Sequence, residues 1–292
     1  TLQYIYEFQS MICELSGMDI ANASLYDGAS AMAEACSLAI NYTAKKKVII
    51  SSIVNPAYIE VTNTYLKHRG VNIDIIPHNK GITDKELFSK IDFSDVCCFV
   101  VQSPNYFGYL EDWKYFSNFL EKYSTLLIAV SDPMSLSIMK SPGEAGADIY
   151  VGEGQSIGNY LSYGGPNVGL FAIKDYLKRK MPGRVVGRTI DKNDQEGFVL
   201  TLQTREQHIR RSKATSNICT NQSLIALRAV IFLSLLGKRG LPELAKICYQ
   251  KAQYAGMRID NLDGFELYFN KKEFLKEFII KTTHSAKKVV EA

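Results

Sequence analysis

Four short segments of this 292-residue sequence place glycines, small polar residues or a carboxylate where they could contact a ligand. The first is YDGASAMAEA (26–35), in which Gly28, Ala29 and Ser30 are expected at the start of a helix. Free backbone N–H groups and the helix dipole favour an anion such as phosphate there. A plain capped helix, with Asp27 or Ser30 as the cap, explains the same residues.

Two further segments end predicted strands. AVSDPMS (129–135) leaves Asp132 at a strand end, where its carboxylate could pair with a ring nitrogen or a metal, or equally cap the next helix. VQSPNYFG (101–108) ends a strand in a Ser-Pro-Asn turn and is most simply a loop. Ligands of open parallel sheets bind beyond the carboxyl ends of the strands, so these segments are expected at one edge.

The fourth segment is VGEGQSIGNYLSYGGP (151–166), which follows an apolar strand-like run and contains no Lys, His, Cys or Asp. A helix start for phosphate, an acid for a pyridinium nitrogen and a strand end for a lysine are the parts of a pyridoxal-phosphate site. Here the lysine is missing, and without it no Schiff base can form. The segment therefore predicts a cofactor-like site that lacks its nucleophile.

The densest polar run is REQHIRRSKATSNICTN (205–221), just ahead of an apolar helix. A solvated, N-capped helix start is one interpretation. The other is an inter-subunit loop, because Arg, amide and hydroxyl groups satisfy buried polar contacts at interfaces. We expect His208 to be structural rather than catalytic.

Strand-like and helix-like segments alternate through the first half of the chain, which predicts an α/β domain with a largely parallel sheet. The predicted strands are short, apolar and β-branched, as in sheets covered on both faces. They span residues 47–54, 71–77, 96–102, 125–131, 147–152 and 168–173, and the predicted helices between them span 30–43, 57–68, 85–91 and 113–123.

After residue 175 the pattern changes. We predict a large α/β domain over 1–180, an Arg-rich connecting or interface segment over 181–222, and the start of a small α+β domain over 223–292. The last part should contain helices at 223–237 and 240–256, a strand at 274–282 and the start of another helix.

The composition argues against several classes of function. A net charge of +4, from 34 basic and 30 acidic residues, does not indicate a nucleic-acid partner. No apolar run reaches a membrane span, and no signal peptide is visible at the first residues. The six cysteines form no CxxC pair and the four histidines are scattered, so we expect reduced thiols, a cytoplasmic protein and no metal site.

Several motifs closely resemble the glycine dehydrogenase (decarboxylating) family, the P-protein of the glycine cleavage system, and in particular its subunit 1. The similarity covers essentially the whole chain. The most specific motifs are MPGRVVGRTID (181–191) and TREQHIRRSKATSNICTNQSL (204–224), joined by EFQSMICELSGMDIANASLYDGASAMAEA (7–35) and ADIYVGEGQSIGNYLSYGGPNVGLFA (147–172).

The resemblance implies the aspartate-aminotransferase type of pyridoxal-phosphate fold (fold type I) and an α2β2 assembly with subunit 2. It implies decarboxylation of glycine and transfer of the aminomethyl group to the lipoyl arm of the H-protein. Subunit 2 is the chain that holds pyridoxal phosphate. Alignment on Gly164, Gly165 and Pro166 puts Gln155 within a residue or two of the sister chain's lysine.

This chain is thus expected to carry no catalytic residue and a degenerate pocket formed by Gly28, Ala29, Ser30, Asp132 and Gln155. The expected subunit interface comprises Arg184, Arg205, His208, Arg210, Asn217, Thr220 and Asn221. The family's usual N-terminal region and closing part have no counterpart here, so we expect a fragment of a longer chain.

Two alternatives remain open. The chain could be a scaffold that docks the lipoyl carrier protein through Arg184, Arg205, Arg210 and Arg211. It could also be a stand-alone pyridoxal-phosphate enzyme with a displaced lysine, for which Lys213 or Lys174 are the candidates.

Overall fold

A computed structural model describes residues 1–270 and 273–291 of the chain. Its strands are, in chain order, β1 (Ile20–Ala21), β2 (Lys47–Ser51), β3 (Asn72–Ile76), β4 (His78–Asn79), β5 (Ile82–Thr83), β6 (Val96–Gln102), β7 (Leu126–Val130), β8 (Ile149–Glu153), β9 (Gly169–Ile173), β10 (Val185–Ile190), β11 (Glu196–Thr201), β12 (Phe265–Leu267) and β13 (Ile280–Thr282).

Seven of these strands form the central sheet, in the order β1-β9-β8-β7-β6-β2-β3. Strands β3, β2, β6, β7 and β8 run parallel, which confirms the predicted α/β architecture. Strand β9 pairs antiparallel with β8, in the register Glu153↔Gly169 to Ile149↔Ile173. The chain therefore returns across the sheet directly after the 151–166 segment.

The helices are α1 (Leu2–Ser16), α2 (Gly28–Thr43), α3 (Pro56–Leu66), α4 (Lys85–Ser89), α5 (Trp113–Leu120), α6 (Pro133–Leu136), α7 (Gln207–Arg210), α8 (Ser223–Asp260) and α9 (Ala286–Glu291). Helix α8 contains both predicted C-terminal helices and is interrupted at Gly237, whose φ of 60° is left-handed. None of the helices within the described residues is long and apolar enough to span a membrane.

The sheet is covered on both faces, because its inner strands are apolar at successive positions. On β6, Phe99 and Val101 face one core, and Cys98 and Val100 face the other. Helices α1, α5 and the first half of α8 pack on the first face, whereas α2 packs on the second. Because helices cover both faces of the central sheet, the polar side chains near it lie at the ends of its strands.

The connecting segment 181–222 is more regular than its composition indicated. Strands β10 and β11 form a hairpin, with Val185 opposite Thr201 and Ile190 opposite Glu196. The turn-rich KNDQEGF sequence supplies the hairpin turn, where the Asp191 carboxylate accepts hydrogen bonds from the N–H groups of Asn193 (2.7 Å) and Gln195 (3.0 Å).

The predicted strand at 274–282 was mostly wrong. Only Ile280–Thr282 forms a strand, β13, which pairs antiparallel with β12. The preceding residues lie against the loop at 105–109 instead: Phe274 forms an isolated antiparallel bridge with Tyr109, and the Leu275 N–H donates to the Gly108 carbonyl at 3.3 Å. This contact brings the C-terminal part of the chain to the edge of the large sheet.

Candidate functional site

The carboxyl ends of β6, β7 and β8 border a polar cavity of about 190 Å³. Asp132 and Gln155 both lie in its wall, whereas Gly28, Ala29 and Ser30, which the sequence analysis placed in the same pocket, are not among the lining residues. The cavity is lined by Asn55, Tyr58, Gln102, Pro104, Val130, Ser131, Asp132, Gly152, Glu153, Gln155, Ser156, Lys276 and Glu277.

Asp132 follows β7 and caps the short helix α6, as one of the two sequence interpretations held. Its Oδ2 accepts a hydrogen bond from the Ser135 N–H at 3.0 Å. Its Oδ1 accepts one from the Ser156 hydroxyl at 2.5 Å. The ammonium of Lys276 lies 3.0 Å from Oδ2, so the Asp132 carboxylate has a cationic partner from the same chain.

The start of α2 is a capped helix start. The Asp27 carboxylate accepts from the Ser30 N–H at 2.7 Å, and the Ser30 hydroxyl lies 3.2 Å from the Asp27 N–H, which completes a capping box. Gly28, which the sequence marked as an anion donor, instead donates its N–H to the Glu153 Oε2 at 2.9 Å. Two of the free donors at this helix start are therefore taken by carboxylates of the chain itself.

Glu153 is the last residue of β8, and its carboxylate accepts hydrogen bonds from three backbone N–H groups. Besides Gly28, its Oε1 accepts from Gln155 and from Val168, each at 3.0 Å. Burial raises the pKa of Glu153, while these backbone hydrogen bonds act to lower it. The carboxylate thus joins the start of α2 to the turn after β8 and to the chain that enters β9.

Tyr58 of α3 closes the space over the same helix start. A Cβ atom at Gly28 would lie 2.1 Å from the Tyr58 hydroxyl oxygen, so only glycine permits this approach. Burial, followed by the charges of Glu153, Asp27 and Asp132, raises the pKa of Tyr58. Its hydroxyl therefore stays protonated and can act as a donor.

Gln155 lies in the single turn that follows β8 (Gly154–Ser156), at the position to which the family resemblance aligns the sister chain's lysine. Its side-chain Nε2 donates to the Asn159 carbonyl at 2.8 Å, within the loop. An amide has no basic nitrogen, so this side chain cannot condense with a carbonyl compound.

The lysines proposed as replacements lie elsewhere. Lys174 follows β9 and, because β9 is antiparallel, it lies at the opposite edge of the sheet, with its ammonium 3.1 Å from the Gly17 carbonyl. Lys213 is exposed in the segment before α8. Within the described residues, the lysine that lines the cavity is Lys276, which was not among the candidates predicted from the sequence.

Three cavity residues were missed for identifiable reasons. Glu153 lies inside the 151–166 segment, at the last strand position before a glycine turn, and this place was a usable signal. Tyr58 and Lys276 carry no such signal, because each comes from an element far away along the chain. Their positions depend on tertiary packing.

The predicted interface residues fall into two groups. The first group makes hydrogen bonds within the chain. Arg205 is buried, and its guanidinium donates to the Gly183 and Leu202 carbonyls, each at 2.9 Å. Asn221 donates to the Ala23 carbonyl at 3.0 Å. Arg184 donates to the Cys219 carbonyl at 3.2 Å. The exposed members are His208, Arg210, Asn217 and Thr220, and their role at an interface stays a prediction.

The family profile described as "Glycine cleavage system P-protein" matches residues 1–292. The chain belongs to this family. It is 50% identical over 292 residues to the probable glycine dehydrogenase (decarboxylating) subunit 1 of Desulfitobacterium hafniense, covering 100% of this chain and 65% of that protein. The corresponding protein of Moorella thermoacetica is 49% identical over 282 residues, which are 97% of this chain and 63% of the relative.

The fold agrees with this assignment. A crystal structure of glycine decarboxylase (P-protein) of the glycine cleavage system, in inhibitor-bound form, matches all of this chain and 65% of its own, with a TM-score of 0.95 and 40% identity. Mouse CSAD is similar in fold alone, with a TM-score of 0.68 and 11% identity over 93% of this chain and 59% of that one. The chain has the predicted pyridoxal-phosphate fold type I, and spans about 65% of the length of the first of these relatives.

Proposed function

We propose that this chain forms part of a glycine-decarboxylating enzyme of the glycine cleavage system, as the partner that does not hold pyridoxal phosphate. The observation that carries this proposal is Gln155, which occupies the turn after β8 with its amide bonded to Asn159. The chemistry of pyridoxal phosphate requires an amine at this strand end. The residues of this cavity therefore do not fit the cofactor.

In this proposal a second subunit holds pyridoxal phosphate. The pair decarboxylates glycine and transfers the aminomethyl group to the lipoyl group of the H-protein, in an α2β2 assembly. The relatives' name, "subunit 1", supports the existence of such a partner. All six cysteines are free thiols, which agrees with the reducing cytoplasm that we propose as its location.

The contribution of this chain would be a contact surface rather than a reacting group. The exposed polar residues from the end of α7 to the start of α8, among them Arg210 and Asn217, are suitable for such a surface because Arg and amide groups satisfy polar contacts at interfaces. A stand-alone enzyme with a displaced lysine is disfavoured by the position of Lys174 at the far edge of the sheet.

Exchange of bicarbonate into glycine tests this function. The chain is expressed together with a candidate subunit 2 and, separately, each is expressed alone. We expect exchange only when both are present. Full exchange by subunit 2 alone would contradict the role of this chain as a required partner.

A titration with lipoylated H-protein distinguishes the proposed enzyme subunit from the alternative, a scaffold that docks the carrier protein. We expect this chain alone to bind H-protein weakly, and the assembled pair to bind it more tightly. Equal and tight binding by this chain without subunit 2 would instead support a carrier-docking scaffold.

A further inference from the structure

The Glu153 carboxylate, which lines the cavity, lies beside the start of α2, where a phosphate would need donors. Glu153 takes the N–H groups of Gly28, Gln155 and Val168 at 2.9, 3.0 and 3.0 Å. A phosphate at the start of α2 would have to displace this carboxylate or lie against it. Like charges at contact distance in a partly buried place repel strongly.

Asp132, the acid that a pyridinium nitrogen would need as its partner, already has a cation of the chain beside it. Lys276 reaches Asp132 from the C-terminal segment, with 3.0 Å between the ammonium and Oδ2. The two side chains are only 29% and 21% exposed. The segment is fixed there by its neighbour Phe274, which is 1% exposed and whose carbonyl accepts from the Gln253 Nε2 at 2.8 Å.

We propose that the chain fills its former cofactor site with its own charges, the Glu153 carboxylate in place of a phosphate and the Lys276 ammonium in place of a ring cation. Each replacement satisfies a group that a cofactor would otherwise satisfy: Glu153 accepts the Gly28 N–H at the start of α2, and Lys276 pairs with the Asp132 carboxylate. This inference rests on the proposed function, in which pyridoxal phosphate is held elsewhere.

If Gln155 were the sole obstacle, Gln155→Lys would restore the site. If the chain's own charges fill the site, pyridoxal phosphate still meets Glu153 at the phosphate end and finds Asp132 already paired. Removal of these two side chains is then required as well.

The test adds pyridoxal phosphate to purified full chain, reduces with borohydride and locates the phosphopyridoxyl-lysine by mass spectrometry. The variants are Gln155→Lys alone and Gln155→Lys combined with Glu153→Gln, with Lys276→Met, or with both. Matched controls combine Gln155→Lys with Glu196→Gln and Lys281→Met, which change an exposed carboxylate and an exposed lysine.

We expect little adduct at position 155 in Gln155→Lys and in the controls. The triple variant, which combines Gln155→Lys with Glu153→Gln and Lys276→Met, should bind pyridoxal phosphate about tenfold more tightly, or better, than Gln155→Lys alone. The reason is that the repelling carboxylate is gone and Asp132 is no longer paired. Stoichiometric adduct in Gln155→Lys alone would overturn the proposal. Absence of adduct from the triple variant would also overturn it, because another obstacle would then exclude the cofactor.

A second measurement uses the native chain, so it does not depend on whether a chain with a substitution at Glu153 still folds. Reductive methylation is followed at Lys276 and at Lys246, which is exposed on α8. We expect Lys276 to react several-fold more slowly, and Asp132→Asn to remove that difference by breaking the pair. Equal rates in the native chain would contradict the pairing. Both measurements use this chain without glycine or a partner, so failure of the proposed enzyme activity leaves them interpretable.

Discussion

The Glu153 carboxylate accepts the backbone N–H of Gly28 at 2.9 Å, across 125 positions of the sequence. This hydrogen bond connects the end of a central strand to the start of the helix that covers the sheet. In a fold that binds a phosphorylated cofactor at this edge, a carboxylate at the helix start marks a site that the chain has closed with its own groups.

Replacement of Glu153 by Ala should destabilise the chain substantially. Three backbone donors, of Gly28, Gln155 and Val168, lose their acceptor. An unsatisfied buried donor costs about 1–3 kcal/mol, and water that enters the site recovers part of it, so we expect a loss of about 3 kcal/mol. Urea unfolding measures the loss. The control Glu196→Ala, at an exposed pair, should change stability by less than about 0.5 kcal/mol, and similar values for the two variants would contradict the role of Glu153.

Lys276→Met should loosen the C-terminal segment without unfolding the sheet. The pair with Asp132 is partly buried and contributes about 1 kcal/mol, which corresponds to roughly fivefold faster opening. Hydrogen exchange of the amides at 274–280 measures this change, with Lys281→Met as the control. Unchanged exchange at 274–280 would show that Phe274 and its neighbours hold the segment alone.

Glu34 on α2 should make stability depend on pH. Burial raises its pKa from 4.5 to about 7, against the lowering effects of a hydrogen bond from Ser216 and the charge of Arg69. Between these values the native chain keeps a proton that the unfolded chain releases. Its stability therefore falls as the pH rises from 4.5 to about 7, and this contribution is constant above that range.

The size of the Glu34 effect is about 3 kcal/mol over that range. Unfolding by urea at a series of pH values measures it. The variant Glu34→Gln keeps a neutral side chain and should lose this part of the pH dependence, whereas Glu60→Gln, at an exposed position on the neighbouring helix, should retain it. Identical pH profiles for native chain and Glu34→Gln would exclude Glu34 as the source.

Substitutions at Arg205 and at Asn217 should differ in their effects on the stability of the chain and on its association with subunit 2. Arg205→Ala removes buried hydrogen bonds to the Gly183 and Leu202 carbonyls, and we expect it to cost about 2–3 kcal/mol in the chain alone, besides weakening association. Asn217 is exposed, so Asn217→Ala should leave stability within about 0.5 kcal/mol and weaken association with subunit 2. Sedimentation of mixed subunits measures the association, and an unchanged constant for Asn217→Ala would remove it from the interface.

Much of the fold was predictable because the sheet strands are apolar and bounded by turns. The strand VCCFVVQ occupies 96–102, as predicted, and the helix start at Gly28 follows from Asp27 and Ser30. The antiparallel direction of β9 was not predictable, since parallel and antiparallel buried strands have the same composition.

The site was predictable only in part. Asp132 and Gln155 followed from their strand ends, where local sequence fixes the position. The pairing of Lys276 with Asp132 depends on how the C-terminal segment packs against the loop at 105–109, and no local pattern encodes that contact. For the same reason the buried position of Arg205 was not visible in its polar surroundings.

The most direct test of the central claim is to locate the cofactor in the assembled enzyme. The complex of this chain with subunit 2 is reduced with borohydride, digested and searched by mass spectrometry for phosphopyridoxyl-lysine. We predict a stoichiometric label on a lysine of subunit 2 and none on this chain. A stoichiometric label on any lysine of this chain, Lys276 included, would contradict the account.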